Sequence, residues 1–182
     1  MATVLQKTTH SAPKLEAMTH LPRLGLRGRT AAEYLSNAGF IPPNAPNRLT
    51  RAPSGELLLR LSNSEYVLLG AKEDEGMRVS ALEAEAPKAG ENSLYFLPRR
   101  DSHAWFCLSG ERRVEVMSKL CGVDLSPKAF AHDAIAQTSV ASASAIVAGD
   151  GQGEAFHLLV DSALAEYFQE ALVDAMAEFG TR

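Results

Sequence analysis

Apolar residues recur along this chain in short runs that switch between strand and helix spacing, and the switches come in a repeated order. Leu24-Gly25-Leu26 reads as a short strand. Gly28 follows, and Thr30 can cap a helix whose apolar side is Ala31, Tyr34, Leu35 and Ala38, with Gly39 suited to its end. The proline-rich stretch from Pro42 to Asn47 is a loop. Glu56 to Leu61 and Glu65 to Gly70 read as neighbouring strands joined by a hairpin turn at Ser62-Asn63-Ser64. An acidic turn at Glu73 to Glu75 leads into a helix from Met77 to Ala86, with Val79 and Leu82 as its apolar positions. Residues 87–93 are turn formers and serve as a linker.

The order then begins again. Leu94 to Leu97 and His103 to Leu108 are strands, and Gly110 breaks the second one. A helix over Glu111 to Leu120 places Val114, Met117, Leu120 and Cys121 at helical spacing. Gln137 to Val140, Ala145 to Ala148 and Ala155 to Val160 are further strands. The clearest element is the last: Leu164, Phe168, Leu172, Ala175 and Phe179 form one stripe, while Glu166, Glu170, Asp174 and Glu178 lie off it. Asp161 or Ser162 is its cap and Gly180 its stop. Each half therefore reads β-α-β-β-α, close to a split-βαβ, ferredoxin-like unit, with mainly antiparallel sheets and helices on one face: an α+β fold. The helices begin and end at the same offset from Gly28 and Gly110, which makes an internal repeat. The expected organisation is a flexible N-terminal arm (1–20), a first half (21–86), a linker (87–93), and a second half (94–182) ending in a long helix.

Composition narrows the function classes. The 182 residues are 46% apolar and 22% charged, enough to bury a core without a metal or disulfide. A net charge of −4 and scattered arginines argue against nucleic-acid binding. No run approaches the ~20 apolar residues of a membrane span. The first twenty residues lack a signal-peptide core, so a cytoplasmic location is expected.

Candidate chemistry is sparse. Cys107 and Cys121 sit in apolar contexts and read as buried, reduced thiols. The glycine-rich run from Gly149 to Gly153 lies between two strands, so it reads as a hairpin turn and not as a phosphate loop. The five histidines have no metal-ligand spacing, and H-E-x-x-H and C-x-x-C are absent. His157 shares a strand face with Leu159 and reads as half-exposed; Phe156, Leu158 and Val160 share the other face. Asp101 could hydrogen-bond His103, but no adjacent nucleophile completes a triad. Ser109 reads as a turn residue and Asp124 as a turn-fixing carboxylate. No catalytic residue and no metal ligand is assigned, and no cofactor-binding residue is identified.

Longer stretches carry a resemblance. "HAWFCLSGERRVEVMSKLCGVDLSPKAF" has the pattern of an apolar strand, Ser-Gly, a helix, then Asp-Leu-x-Pro-x-x-Phe. "QTSVASASAIV" and "AFHLLVDSALAEYFQEALVDAMAEFG" continue it, and "NSEYVLLG" matches in the first half. Over about residues 21–180 the chain resembles the sarcosine oxidase gamma-subunit family, relatives of the glycine-cleavage T-protein (aminomethyltransferase). It departs from the family pattern at Ala131-His132, Tyr66 and Asp161-Ser162. The resemblance implies a two-part fold of the folate-binding-domain type. It also implies a subunit of a complex that oxidises N-methylglycine to glycine, hydrogen peroxide and a one-carbon unit that tetrahydrofolate can accept. FAD, FMN, NAD and tetrahydrofolate are then expected on the larger alpha and beta subunits, with none bound by this chain and no catalytic residue to carry over. Two rival readings stand beside it. One is a structural protein outside amine oxidation. The other is a stand-alone folate-binding, aminomethyltransferase-like protein, in which a carboxylate such as Asp101 or Glu154 would face the pterin ring.

Overall fold

The structure, a computed structural model, describes residues 12–85 and 93–179. Ten strands form two five-stranded sheets in which every named pairing is antiparallel. The first sheet holds β2 (Arg23–Gly28), β3 (Arg48–Arg51), β4 (Leu57–Arg60), β5 (Glu65–Leu69) and β6 (Leu94–Pro98), in the order β3-β4-β5-β2-β6. The second holds β1 (Lys14–Ala17), β7 (His103–Ser109), β8 (Ile135–Val140), β9 (Ala143–Ala148) and β10 (Ala155–Asp161), in the order β1-β7-β10-β9-β8. Helices α1 (Ala31–Asn37) and α2 (Met77–Ala84) cover the outer face of the first sheet; α4 (Arg113–Ser118) and α5 (Ala165–Ala177) cover that of the second. A four-residue helix, α3 (Arg99–Ser102), connects β6 to β7.

The inner faces of the sheets pack on each other. Alternation along each strand divides the side chains between two apolar layers. In β7, Ala104, Phe106 and Leu108 pack under the helices, while Trp105 and Cys107 face the first sheet. In β4, Leu58 goes to the helix side, and Leu57 and Leu59 go to the inter-sheet layer. That is why the strand is a continuous leucine run: both of its faces are covered.

Two strands depart from the expected organisation. Lys14–Ala17 falls in the segment read as a flexible arm, yet it pairs with β7, Leu15 opposite Leu108. Leu94–Pro98 was expected to open the second half, yet it pairs with β2 in the first sheet, Leu26 opposite Phe96. Both are short edge strands with polar or half-buried positions, so neither carries the strong alternation of a central strand. Most of the expected linker 87–93 and the expected stop Gly180 lie outside the described residues. Arg48–Arg51 forms an additional edge strand that its arginines hide in the sequence. The last helix starts later than expected: Asp161 Oδ1 accepts the Ala163 amide at 2.9 Å and caps a 3-10 turn over Ser162–Leu164, after which α5 runs for 13 residues.

Several features fasten the halves together. Arg23 is fully buried, and its guanidinium donates to the carbonyls of Thr19, Leu21, Arg100 and His103. At one sheet edge, the Leu49 amide donates to the Asp133 carbonyl and the Ile135 amide to that of Asn47. The close of α1 shows how local sequence sets this frame. The Gly39 amide donates to the Ser36 carbonyl and the Phe40 amide to that of Leu35, a Schellman arrangement with Gly39 at φ +83°, where a side chain would be strained.

Candidate functional site

Strand direction and alternation place an uneven set of groups between the two sheets. Counting from the turn before β10, Ala155, His157 and Leu159 alternate with Phe156, Leu158 and Val160. The face carrying His157 points at the first sheet instead of solvent, so the histidine is only 8% exposed; the half-exposed reading is corrected. The alternation was legible, but nothing in one strand reveals that a second sheet will cover its other face. Directly opposite His157 in register is Cys107, and one step diagonal is Trp105.

These residues line a cleft of about 330 Å³ between β1, β7 and β10 on one side and Leu57, Gly70 and Lys72 of the first sheet and its following loop on the other. Trp105 Nε1–H donates to His157 Nδ1 at 3.0 Å. That bond requires Nδ1 to be the acceptor, so the ring proton of the neutral imidazole sits on Nε2. Burial pushes the His157 pKa down to about 4, assisted by the positive charges of Arg51 and Lys72 and opposed by Asp150. Burial likewise pushes the Cys107 thiol up to about 11. Imidazole and thiol are both neutral near pH 7, and no hydrogen bond joins them among the described residues. They are register neighbours, but they are not arranged as an activated thiolate with its base.

Asp150 is buried at the cleft wall. Its Oδ1 accepts the amides of Gln152 at 2.9 Å and Gly153 at 2.6 Å, so this carboxylate organises the β9–β10 turn. Gly149 in the same turn packs on the His132 carbonyl so closely that a Cβ there would collide with it. At the mouth, Lys72 Nζ donates to Glu16 Oε2 at 2.6 Å, tying the loop after β5 to β1; the hydrogen bond from Lys72 lowers the Glu16 pKa.

The residues singled out in the sequence scatter. Ser109 and Glu154 join His157 and Cys107 along the cleft. Asp101 does not: it lies in α3, where its carbonyl accepts from Ser162 Oγ at 2.7 Å. His103 Nδ1 is 2.8 Å from Ser102 Oγ, so its partner is Ser102 and not Asp101. Asp124 accepts the Ser126 amide at 2.9 Å, as a turn carboxylate does. Cys121 is buried in the second sheet's helix-side core. Sequence reasoning missed Trp105 and the Cys107–His157 opposition. The signal available was that Trp105, Cys107 and Ser109 share one parity on β7, as His157 and Leu159 do on β10. Among the described residues no group of three or more His, Cys, Asp or Glu is placed to hold a metal ion, and no helix is long and apolar enough to cross a membrane.

Two face-packed antiparallel sheets, each carrying helices on its outer side, define an α+β protein. No family model matches the sequence, and no curated protein does. The fold nevertheless has solved counterparts. A chain of the heterotetrameric sarcosine oxidase from Corynebacterium sp. U-96 superposes with a TM-score of 0.73 at 23% identity, over 93% of this chain and 86% of that one. The glycine cleavage system aminomethyltransferase T from Bartonella henselae superposes with a TM-score of 0.62 at 16% identity, over 91% of this chain but only 46% of that one. At these identities the likeness shows the shared fold.

Proposed function

We propose that the chain is a gamma-type, non-catalytic subunit of a heterotetrameric sarcosine oxidase-like complex. It stabilises larger alpha and beta subunits, which carry FAD, FMN, NAD and the tetrahydrofolate site, and it works in the cytoplasm. The observation that carries this reading is the extent of the likeness. The fold corresponds to 86% of one chain of a heterotetrameric oxidase, whereas it spans less than half of the aminomethyltransferase. A subunit of like size is therefore a better counterpart than a fragment of a larger enzyme. The polar groups inside the chain support the same role. Asp150 is committed to its turn and Arg23 to four carbonyls, and His157 Nδ1 is committed to Trp105. Each of these three side chains takes part in holding the structure.

The test is affinity purification of the tagged chain from its native extract, followed by an absorbance spectrum. Flavin bands and two larger polypeptides should co-purify, across an interface on the order of 1,600 Å². A chain that stays alone when mixed with purified alpha and beta subunits would refute the proposal. A stand-alone folate-binding protein would instead show a thermal shift with tetrahydrofolate in the absence of any partner.

A further inference from the structure

We propose that the inter-sheet cleft binds a small molecule with an apolar part and one oxygen acceptor, a carbonyl or a carboxylate, held on Nε2–H of His157. This goes beyond the subunit reading and does not depend on it. Three observations meet in the same place. The cleft is open to solvent at one end and has a volume of about 330 Å³, within the range of small-molecule sites, roughly 300–1,000 Å³. Its floor is apolar and aromatic, formed by Met18, Leu57 and Trp105. Two buried polar side chains line it: Asp150, whose carboxylate is taken up by its own turn, and His157, with one nitrogen engaged and the other not.

The second nitrogen carries the inference. Trp105 fixes the tautomer, so Nε2 bears the proton, and no hydrogen bond to Nε2 is formed among the described residues. The buried side-chain atoms without a partner among the described residues are Arg99 Nε and Arg113 Nε, so His157 Nε2 is reached by solvent through the cleft. An oxygen arriving there can accept from Nε2–H in place of water, and a protonated amine cannot. Cys107 beside it remains a thiol, adding a weak donor and no charge. The lining holds four carboxylates (Glu16, Glu73, Asp150, Glu154) against three cations. A phosphate dianion would meet repulsion and only one buried side-chain donor of this kind, so a neutral or singly charged ligand fits better.

The chain contains a single tryptophan, and its indole N–H is the group bonded to His157. The one indole cross-peak in a ¹⁵N-correlated spectrum of the full chain therefore reports directly on the site. Benzoate and benzamide carry the oxygen acceptor; benzylamine has the same ring and lacks it. The indole peak is expected to move saturably with benzoate, benzamide or both, and not with benzylamine. Movement with benzoate alone assigns a carboxylate ligand, and movement with benzamide alone a carbonyl. H157F should weaken binding by ~10-fold, the worth of one hydrogen bond. S109L, which fills the cleft from the end of β7 and leaves the Trp105–His157 bond alone, should also abolish the shift. No movement with either oxygen probe, equal movement with benzylamine, or unchanged affinity in a folded H157F or S109L chain would overturn the proposal.

Discussion

His157 shows how burial alone changes what a residue can do. Its side chain lies between two sheets, its Nδ1 accepts from Trp105, and its pKa falls to about 4 because a charged ring would be desolvated there. The unfolded chain, with an ordinary value of 6.5, takes up this proton first. The folded-state value is depressed, so below pH ~6.5 the unfolded state binds more protons and stability falls as pH drops towards about 4. The full difference amounts to ~3 kcal/mol, and protonation of Nδ1 also removes the acceptor that Trp105 uses. Urea unfolding at pH 7 and pH 4.5 should show a larger loss for the unaltered chain than for H157Q. Equal losses would mean that the buried ring contributes nothing to acid sensitivity. The identity of residue 157 was plain in the sequence, and its strand face was read correctly. Its burial was not, because that depends on Leu57 and Met18 from distant parts of the chain.

At the scale of elements, the two edge strands are the instructive ones. β1 comes before the first repeat yet completes the second sheet, while β6 closes the first sheet before the chain crosses over through α3 to β7. Each sheet thus receives its outermost strand from the segment just ahead of a repeat. Without β1, one side of β7 would present a row of unpaired backbone groups. Deleting residues 1–17 should lower the urea midpoint and make the protein self-associate in a concentration-dependent way, read by light scattering. A shortened chain that stays monomeric with an unchanged midpoint would show that β1 is dispensable. Central strands and helices were legible because each has a strong period: the β4 leucines, the β10 run, and the Phe168, Leu172 and Ala175 stripe of α5. β1 and β3 were not, because an edge strand is half-solvated and tolerates Lys, Glu and Arg at positions that would break the pattern of an inner strand; β6 was read as a strand, but not as one belonging to the first sheet.

At the scale of the molecule, the halves share too much to unfold separately. They have a common inter-sheet core that includes Trp105, Leu159, Leu59 and Val67, and Arg23 joins the β1–β2 bend to the start of β7. Tryptophan fluorescence, which reports on the inter-sheet layer, and far-UV circular dichroism, which reports on both halves, should give coincident unfolding curves. R23M leaves four carbonyls without their donor, that of Leu21 in a fully buried place, and should shift both curves together, by ~3 kcal/mol. Separated transitions would mean that the halves are independent. The sequence by itself determined the repeat, the α+β class and most of the helix-facing core, because those follow from periodicity within one segment. Only the tertiary structure decided that the sheets stack face to face, which strand completes which sheet, and that Trp105, Cys107 and His157 meet in a cleft. These depend on contacts between residues tens of positions apart, and the local alternation of a strand reads the same whether water or another sheet lies against its second face.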